Sequence, residues 1–195
     1  MNDLSRLSEA ELKETLLLQE RLAQLASQDE AQGSFLGFVR QVWSGFIQGE
    51  HHRIFARKLE EVAAGKLKRL IVNMPPRHTK SEFASVHFPA WIMGKNPDMK
   101  VMQTTHTGEL AVRFGRKVRN LMDSPEYEKL FPGVRLKADN KSAGRWETNK
   151  GGEYFAAGVG GQALNFADVP SELLGSVIIN KNATAEMMPG SWPEF

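Results

Sequence analysis

Three observations predict an α/β fold. A short apolar, β-branched run, Leu70-Ile71-Val72-Asn73-Met74, leads into Pro75-Pro76 and then into Lys80-Ser81 at the start of a helix-forming stretch. A second strand-like run, Lys100–Thr105, precedes Thr107, a residue suited to cap a helix over Gly108–Met122. Further on, Arg145–Thr148 and Glu153–Ala157 flank Asn149-Lys150-Gly151-Gly152, the pattern of a β-hairpin. The first two runs and the helix between them make one βαβ unit, with a parallel, right-handed crossover.

Composition bounds what such a chain can be. Its 195 residues suffice for one good core plus extensions, and 41% hydrophobic with 25% charged residues is ordinary for a globular protein. No apolar run approaches membrane-spanning length, and the N-terminus is polar and acidic rather than signal-like, so neither a membrane protein nor a secreted one is expected. With no cysteine there is no disulfide and no thiolate metal site, which fits a cytosolic protein. The net charge of +2 is unevenly spread, because residues 162–195 carry Asp168, Glu172, Glu186 and Glu194 against Lys181 alone. The rest is mildly basic, which is compatible with phosphate or DNA contact.

Taken in order, Asp3 to about Glu30 reads as a helix with Leu4, Leu7, Leu12, Leu16, Leu17, Leu22 and Leu25 among charges. Ser8 with Glu11 is a capping box that would start this helix near Glu9. Its leucine stripe is expected to pack on its own domain, with a partner as the alternative. Ser34–Phe46 is a strongly apolar amphipathic helix, broken by Gly49. Another helix runs from His51 to Ala64 and is closed by Gly65. His51 and His52 point about 100° apart on a helix and so make a poor metal pair. After Ser81 the helix buries Phe83, Ala84 and Val86, and Pro89 is expected to kink or end it early. The helix after Thr107 has an apolar stripe of Leu110, Phe114, Val118, Leu121 and Met122, with Arg113, Arg116, Lys117 and Arg119 around its other side. That basic side is either a solvated face or a contact for DNA or ATP phosphates, since it follows the C-terminal end of a parallel strand. Ser124-Pro125 starts one more short helix, which Pro132-Gly133 ends.

Strand, turn, Lys-Ser and helix are the parts of a phosphate-binding loop. Backbone N–H groups and the helix N-terminus face phosphate, the lysine neutralises the β/γ oxygens, and the hydroxyl reaches Mg²⁺. Against G-x-x-x-x-G-K-[ST] the window is Met74 to Ser81, with Met74 and Thr79 where the two glycines would stand. Glycine there supplies positive φ and close backbone approach. The competing reading is a Pro-rich surface turn with Lys80 simply solvated.

The string Met74-Pro75-Pro76-Arg77-His78-Thr79-Lys80-Ser81, preceded by Lys68-Arg69-Leu70-Ile71-Val72-Asn73, resembles the deviant Walker A of tailed-phage terminase large subunits, the DNA-packaging motors. Thr104-Thr105-His106-Thr107 through Phe114-Gly115-Arg116-Lys117-Val118-Arg119 again looks like terminase sequence, and the resemblance covers about Ser34 to Gly161. It implies an incomplete three-layer sandwich of the P-loop NTPase kind with a mostly parallel sheet. The layout would be a helical extension at 1–33, a partial ATPase domain at 34–161 and a divergent tail at 162–195. ATP and Mg²⁺ would bind at residues 74–81: Lys80 on the β/γ phosphates, Ser81 on Mg²⁺, and Arg77 stabilising the transferring phosphoryl group. Trp43, His51 and His52 become candidates for the adenine side, the bland alternative being a core tryptophan and histidine caps. Implied partners are double-stranded DNA, a portal, a small terminase subunit and other copies in a motor ring, in the cytoplasm of a phage's host.

The resemblance stops at Gly161. A Walker B strand ending in paired acids is not visible. Its best stand-in, Ser176-Val177-Ile178-Ile179, ends in Asn180-Lys181, and a weaker one is Phe166-Ala167-Asp168. The family's nuclease domain would lie beyond residue 195. Two functions therefore stand side by side: the ATP-binding portion of a packaging motor, or a catalytically inactive remnant that binds nucleic acid or a partner.

Overall fold

A computed structural model describes residues 8–142, 144–159 and 177–179. These fall into two compact units, one of residues 8–71 with Pro125–Gly133, the other of Val72–Ser124 with the described residues from 134 onward. The boundary expected at 33/34 lies inside the first unit.

The first unit is helical. Helix α1 spans Glu9–Gly33, and Ser8 and Glu11 form the capping box at its start. Ser8 N–H donates to Glu11 Oε2 at 2.8 Å while Glu11 N–H donates back to Ser8 Oγ at 3.4 Å. Among the described residues α1 is anchored at its C-terminal end: Ala31 is buried, Gln32 donates to Leu130 O at 3.1 Å, and Gln28 donates to Lys129 O. The leucine stripe does not pack on its own domain as expected, for Leu12, Leu16, Leu17, Leu22 and Leu25 are all exposed. Leu4 and Leu7 lie outside the described residues. Helix α2 (Phe35–Val42) is capped by Ser34, and α3 (Glu50–Ala63) ends before Gly65, which takes φ +70°. Helix α7 (Pro125–Leu130) closes the unit. Phe38 meets Tyr127 edge-on at 6.1 Å and Phe131 at 5.8 Å, which makes an aromatic centre between α2 and α7.

The second unit is a mixed α/β layer structure with a five-stranded sheet in the order β2-β3-β4-β1-β5. The strands are β1 (Lys100–Thr105), β2 (Leu136–Lys141), β3 (Arg145–Thr148), β4 (Glu153–Gly158) and β5 (Val177–Ile179). Strand β1 pairs in parallel with β4 on one side and with β5 on the other, whereas β2-β3-β4 is antiparallel. The sheet is thus only partly parallel. The hairpin forms as predicted, with Trp146 opposite Tyr154 and their rings stacked at 4.7 Å. Helix α6 (Gly108–Met122), capped by Thr107, packs on β4 and β1 through Ala111, Phe114, Gly115 and Val118.

Two expectations are corrected here. Residues 70–74 form no strand, and Ile71 is 88% exposed. An apolar β-branched run is competent to pair, but pairing needs an open neighbour, and the parallel neighbours of β1 are β4 and β5 instead. The parallel pair is therefore β1 and β4, joined through α6, α7, β2 and β3, and not a pair that begins at Leu70. Secondly, Pro89, expected to kink or end its helix early, does not end it. Lys80–Glu82 (α4) continues through a π turn, Phe83–His87, into α5, Phe88–Lys95. Phe88 N–H donates to Phe83 O, five residues back, just before the residue that has no N–H to give. The wider turn accommodates the proline without terminating the helix. Phe83, Phe88, Trp91 and Met93 are fully buried along this run.

Candidate functional site

The loop from Met74 to Ser81 belongs to the second unit, and its backbone carries the information that its side chains lack. Thr79 sits at φ +59°, and Arg77 at φ +63°; among the described residues no other non-glycine residue has positive φ. The left-handed region costs a non-glycine residue about 1–2 kcal/mol, so the chain accepts that conformation twice within three residues. Thr79 stands at the second glycine position of the phosphate-loop pattern and adopts the backbone that a glycine there would adopt. Met74, at the first, does not.

The helix that follows begins without a side-chain cap. Thr79 is the N-cap residue, but its hydroxyl donates to His78 O at 2.7 Å instead of accepting from the first turn. The first helical bond runs from Phe83 N–H to Thr79 O at 2.9 Å. Ser8, Ser34 and Thr107, by contrast, each accept from the helix they open. Among the described residues the first-turn N–H groups of Lys80, Ser81 and Glu82 have no capping side chain, which leaves them open to an anion. Lys80 and Ser81 are half-buried at this turn, and Arg77 and His78 are exposed. His78 Nδ1 donates to Pro76 O at 2.9 Å, which holds the tight turn around Arg77. Lysine, a hydroxyl and uncapped N–H groups form a donor set suited to an anion such as phosphate.

The remaining candidates divide by unit. Trp43, His51 and His52 lie in the helical unit. Trp43 closes α2 half-buried, with its ring 5.3 Å from that of Phe46. His52 is buried, and its Nδ1 accepts from Gly49 N–H at 2.8 Å, so it caps α3. His51 is exposed, with its ring 3.8 Å from that of His52. Among the described residues no cluster of three or more histidine, aspartate or glutamate side chains could hold a metal ion.

Arg113, Arg116, Lys117 and Arg119 are on α6 as read. Arg113 and Arg116 are exposed and, among the described residues, make no ion pair; Arg119 reaches Asn120 Oδ1 at 3.4 Å. Lys117 differs: it forms an ion pair with Glu82, the residue after Ser81. Sequence reasoning did not anticipate the role of Glu82, and no local pattern joins positions 35 residues apart. His87, buried beneath them, donates from Nδ1 to Glu82 O at 2.9 Å. Burial pushes its imidazole below the ordinary histidine range, so at neutral pH it is an uncharged donor.

The C-terminal end of β1 is tightly built. Gly158 of β4 lies against Gly108 N, at the start of α6, and Val159 N–H donates to Thr105 O at 2.8 Å. Strand β5 runs beside β1 in the same direction, Met102 opposite Val177 and Thr104 opposite Ile179. The stand-in Walker B strand is thus a sheet strand. Asn180 and Lys181, like Asp168 and Glu172, lie outside the described residues.

Comparison with protein-family models, with curated proteins and with solved structures gives no match for this chain.

Proposed function

We propose that this chain is the ATP-binding portion of a viral DNA-packaging motor of the terminase large-subunit kind, with residues 74–81 as its phosphate loop. The observation that carries the reading is the left-handed Thr79 directly before an uncapped helix N-terminus that opens with Lys80-Ser81. A solvated surface turn would have no reason to hold two non-glycine residues in a disfavoured backbone or to turn a capping hydroxyl away from its helix. The terminase resemblance of the string adds the identity of the ligand: ATP with Mg²⁺. Ser81 would help hold Mg²⁺, whose chemistry when bound would be to neutralise phosphate charge. Lys80 then supplies a point charge to the β/γ oxygens, Ser81 a hydroxyl to the metal, and Arg77 a guanidinium, exposed and free to swing, for the phosphoryl oxygens. Arg113 and Arg116, exposed on α6, are the residues offered to the backbone of double-stranded DNA. A three-layer P-loop NTPase architecture, assembly into a ring, and contacts to a portal and a small terminase subunit follow from the resemblance alone and belong to this proposal. No helix among the described residues is long and apolar enough to cross a membrane.

Titration of a fluorescent ATP analogue with Mg²⁺ tests the reading. Lys80→Ala removes a charge-assisted phosphate contact of about 1.5–3 kcal/mol, so affinity is expected to fall roughly ten- to a hundredfold. Equal affinity in parent and variant, or no binding by the parent, would sink the assignment.

One observation favours the second reading, an inactive remnant that binds nucleic acid or a partner. Strand β5 occupies a place beside β1, yet the residues that follow it in sequence are Asn180 and Lys181 rather than acids.

A further inference from the structure

We propose that Lys117 is a positioning residue for the phosphate loop: it cancels the carboxylate charge that Glu82 places in the first turn of the loop's helix. The inference rests on the phosphate-loop reading above and concerns how that site is kept receptive to an anion.

Glu82 is the acidic residue of this first turn, immediately after Ser81. At an ordinary helix start a carboxylate is favourable, because it complements the positive end of the helix dipole. At a start meant for phosphate it competes with the ligand for the same field. The structure answers this by fixing Glu82 at both ends. His87 Nδ1 donates to its backbone carbonyl at 2.9 Å, and Lys117, reaching across from α6, neutralises its side chain. The pair is partly solvated, with side-chain exposures of 41% for Lys117 and 35% for Glu82. Ion pairs so exposed add little to stability. The partners come from separate helices that are packed together, α6 against the π turn, which holds the pair next to the loop. Lys117 is thereby distinguished from Arg113 and Arg116, whose charges face solvent.

A double-mutant cycle on the full chain tests this, with the Kd of a fluorescent ATP analogue and Mg²⁺ as the readout. Lys117→Met leaves Glu82 uncompensated and is expected to raise Kd roughly three- to thirtyfold, less at high salt, as for a unit charge within about 10 Å of an anion near a protein surface. Glu82→Gln should bind as tightly as the parent or more tightly. In the Glu82→Gln background, Lys117→Met should change Kd by no more than about twofold, because the charge it compensates is gone. An equal loss in both backgrounds would mean that Lys117 touches the nucleotide itself and would overturn the proposal; so would unchanged binding by Lys117→Met alone. Melting temperatures measured on the same set separate a structural role: losses of affinity that track losses of stability would also overturn it. Lys80→Ala is the independent arm. If it binds as the parent does, the phosphate-loop reading falls and this proposal with it. If it weakens binding while the cycle shows no coupling, only the role of Lys117 fails.

Discussion

Thr79 shows how a residue can occupy a glycine position by conformation rather than by identity. Its φ of +59° is the observation from which the proposed site is built, and it has a direct consequence for stability. At ordinary positions alanine is favoured over glycine by about 0.5–1 kcal/mol, because glycine loses more backbone freedom on folding. In the left-handed region the order reverses, since a Cβ there costs about 1–2 kcal/mol. Thr79→Ala and Thr79→Gly both delete the hydroxyl that bonds His78 O, so their difference reports backbone conformation alone. Thr79→Gly is expected to be the more stable by about 0.5–1 kcal/mol, read from urea midpoints with unchanged slopes. Alanine as the more stable variant would mean that Thr79 is not left-handed. None of this was legible from residue types, which displayed only two absent glycines. The same limit applies to Glu82, which nothing local singles out, and to its pairing with Lys117, legible in the sequence only as part of a basic helix face.

At the scale of elements, what local chemistry decides was readable and what depends on distant partners was not. The Ser8–Glu11 capping box, the Gly65 stop after α3, the Thr107 cap and the Trp146–Tyr154 hairpin all involve groups close together in sequence. Leu70–Met74 has the composition of a buried strand, yet composition names no neighbour, and the run is left out of the sheet. Strand β2 is the opposite case: Leu136–Lys141 has little strand character and pairs because β3 offers an edge. The leucines of α1 likewise have helical spacing, yet among the described residues they stay exposed. Helix against strand is fixed most sharply at Gly158, where a Cβ would come within 2.2 Å of Gly108 N. That atom is backbone and cannot turn aside. Gly158→Ala should therefore push α6 off β4 and destabilise the protein by about 2–4 kcal/mol. Gly151→Ala makes the control: its φ is +92° but a Cβ there meets open space, so a loss of about 1 kcal/mol is expected. Thermal or urea unfolding of the pair decides it, and equal losses would remove the close approach.

For the whole molecule the question is whether a bound nucleotide would be turned over. Phosphoryl transfer is largely positioning and electrostatic stabilisation, so the metal and the attacking water must both be fixed. On the proposed reading, Arg77, Lys80 and Ser81 would furnish one side of that arrangement. The other side needs carboxylates, delivered where parallel strands end, since ligands of open α/β sheets bind at that edge. Strand β5 runs parallel to β1, with Ile179 opposite Thr104, and two residues follow Ile179 in sequence where the resemblance would call for acids. Those residues are Asn180 and Lys181. An amide offers a metal a neutral oxygen, weaker than a carboxylate, and a lysine repels it. We therefore expect binding without appreciable turnover. Phosphate release by the purified chain, measured with Mg²⁺ and duplex DNA present, should be indistinguishable from that of Lys80→Ala. A rate near ~1 s⁻¹, the low end of ordinary enzymes, and well above the variant's would show that a carboxylate such as Asp168 or Glu172 completes the site.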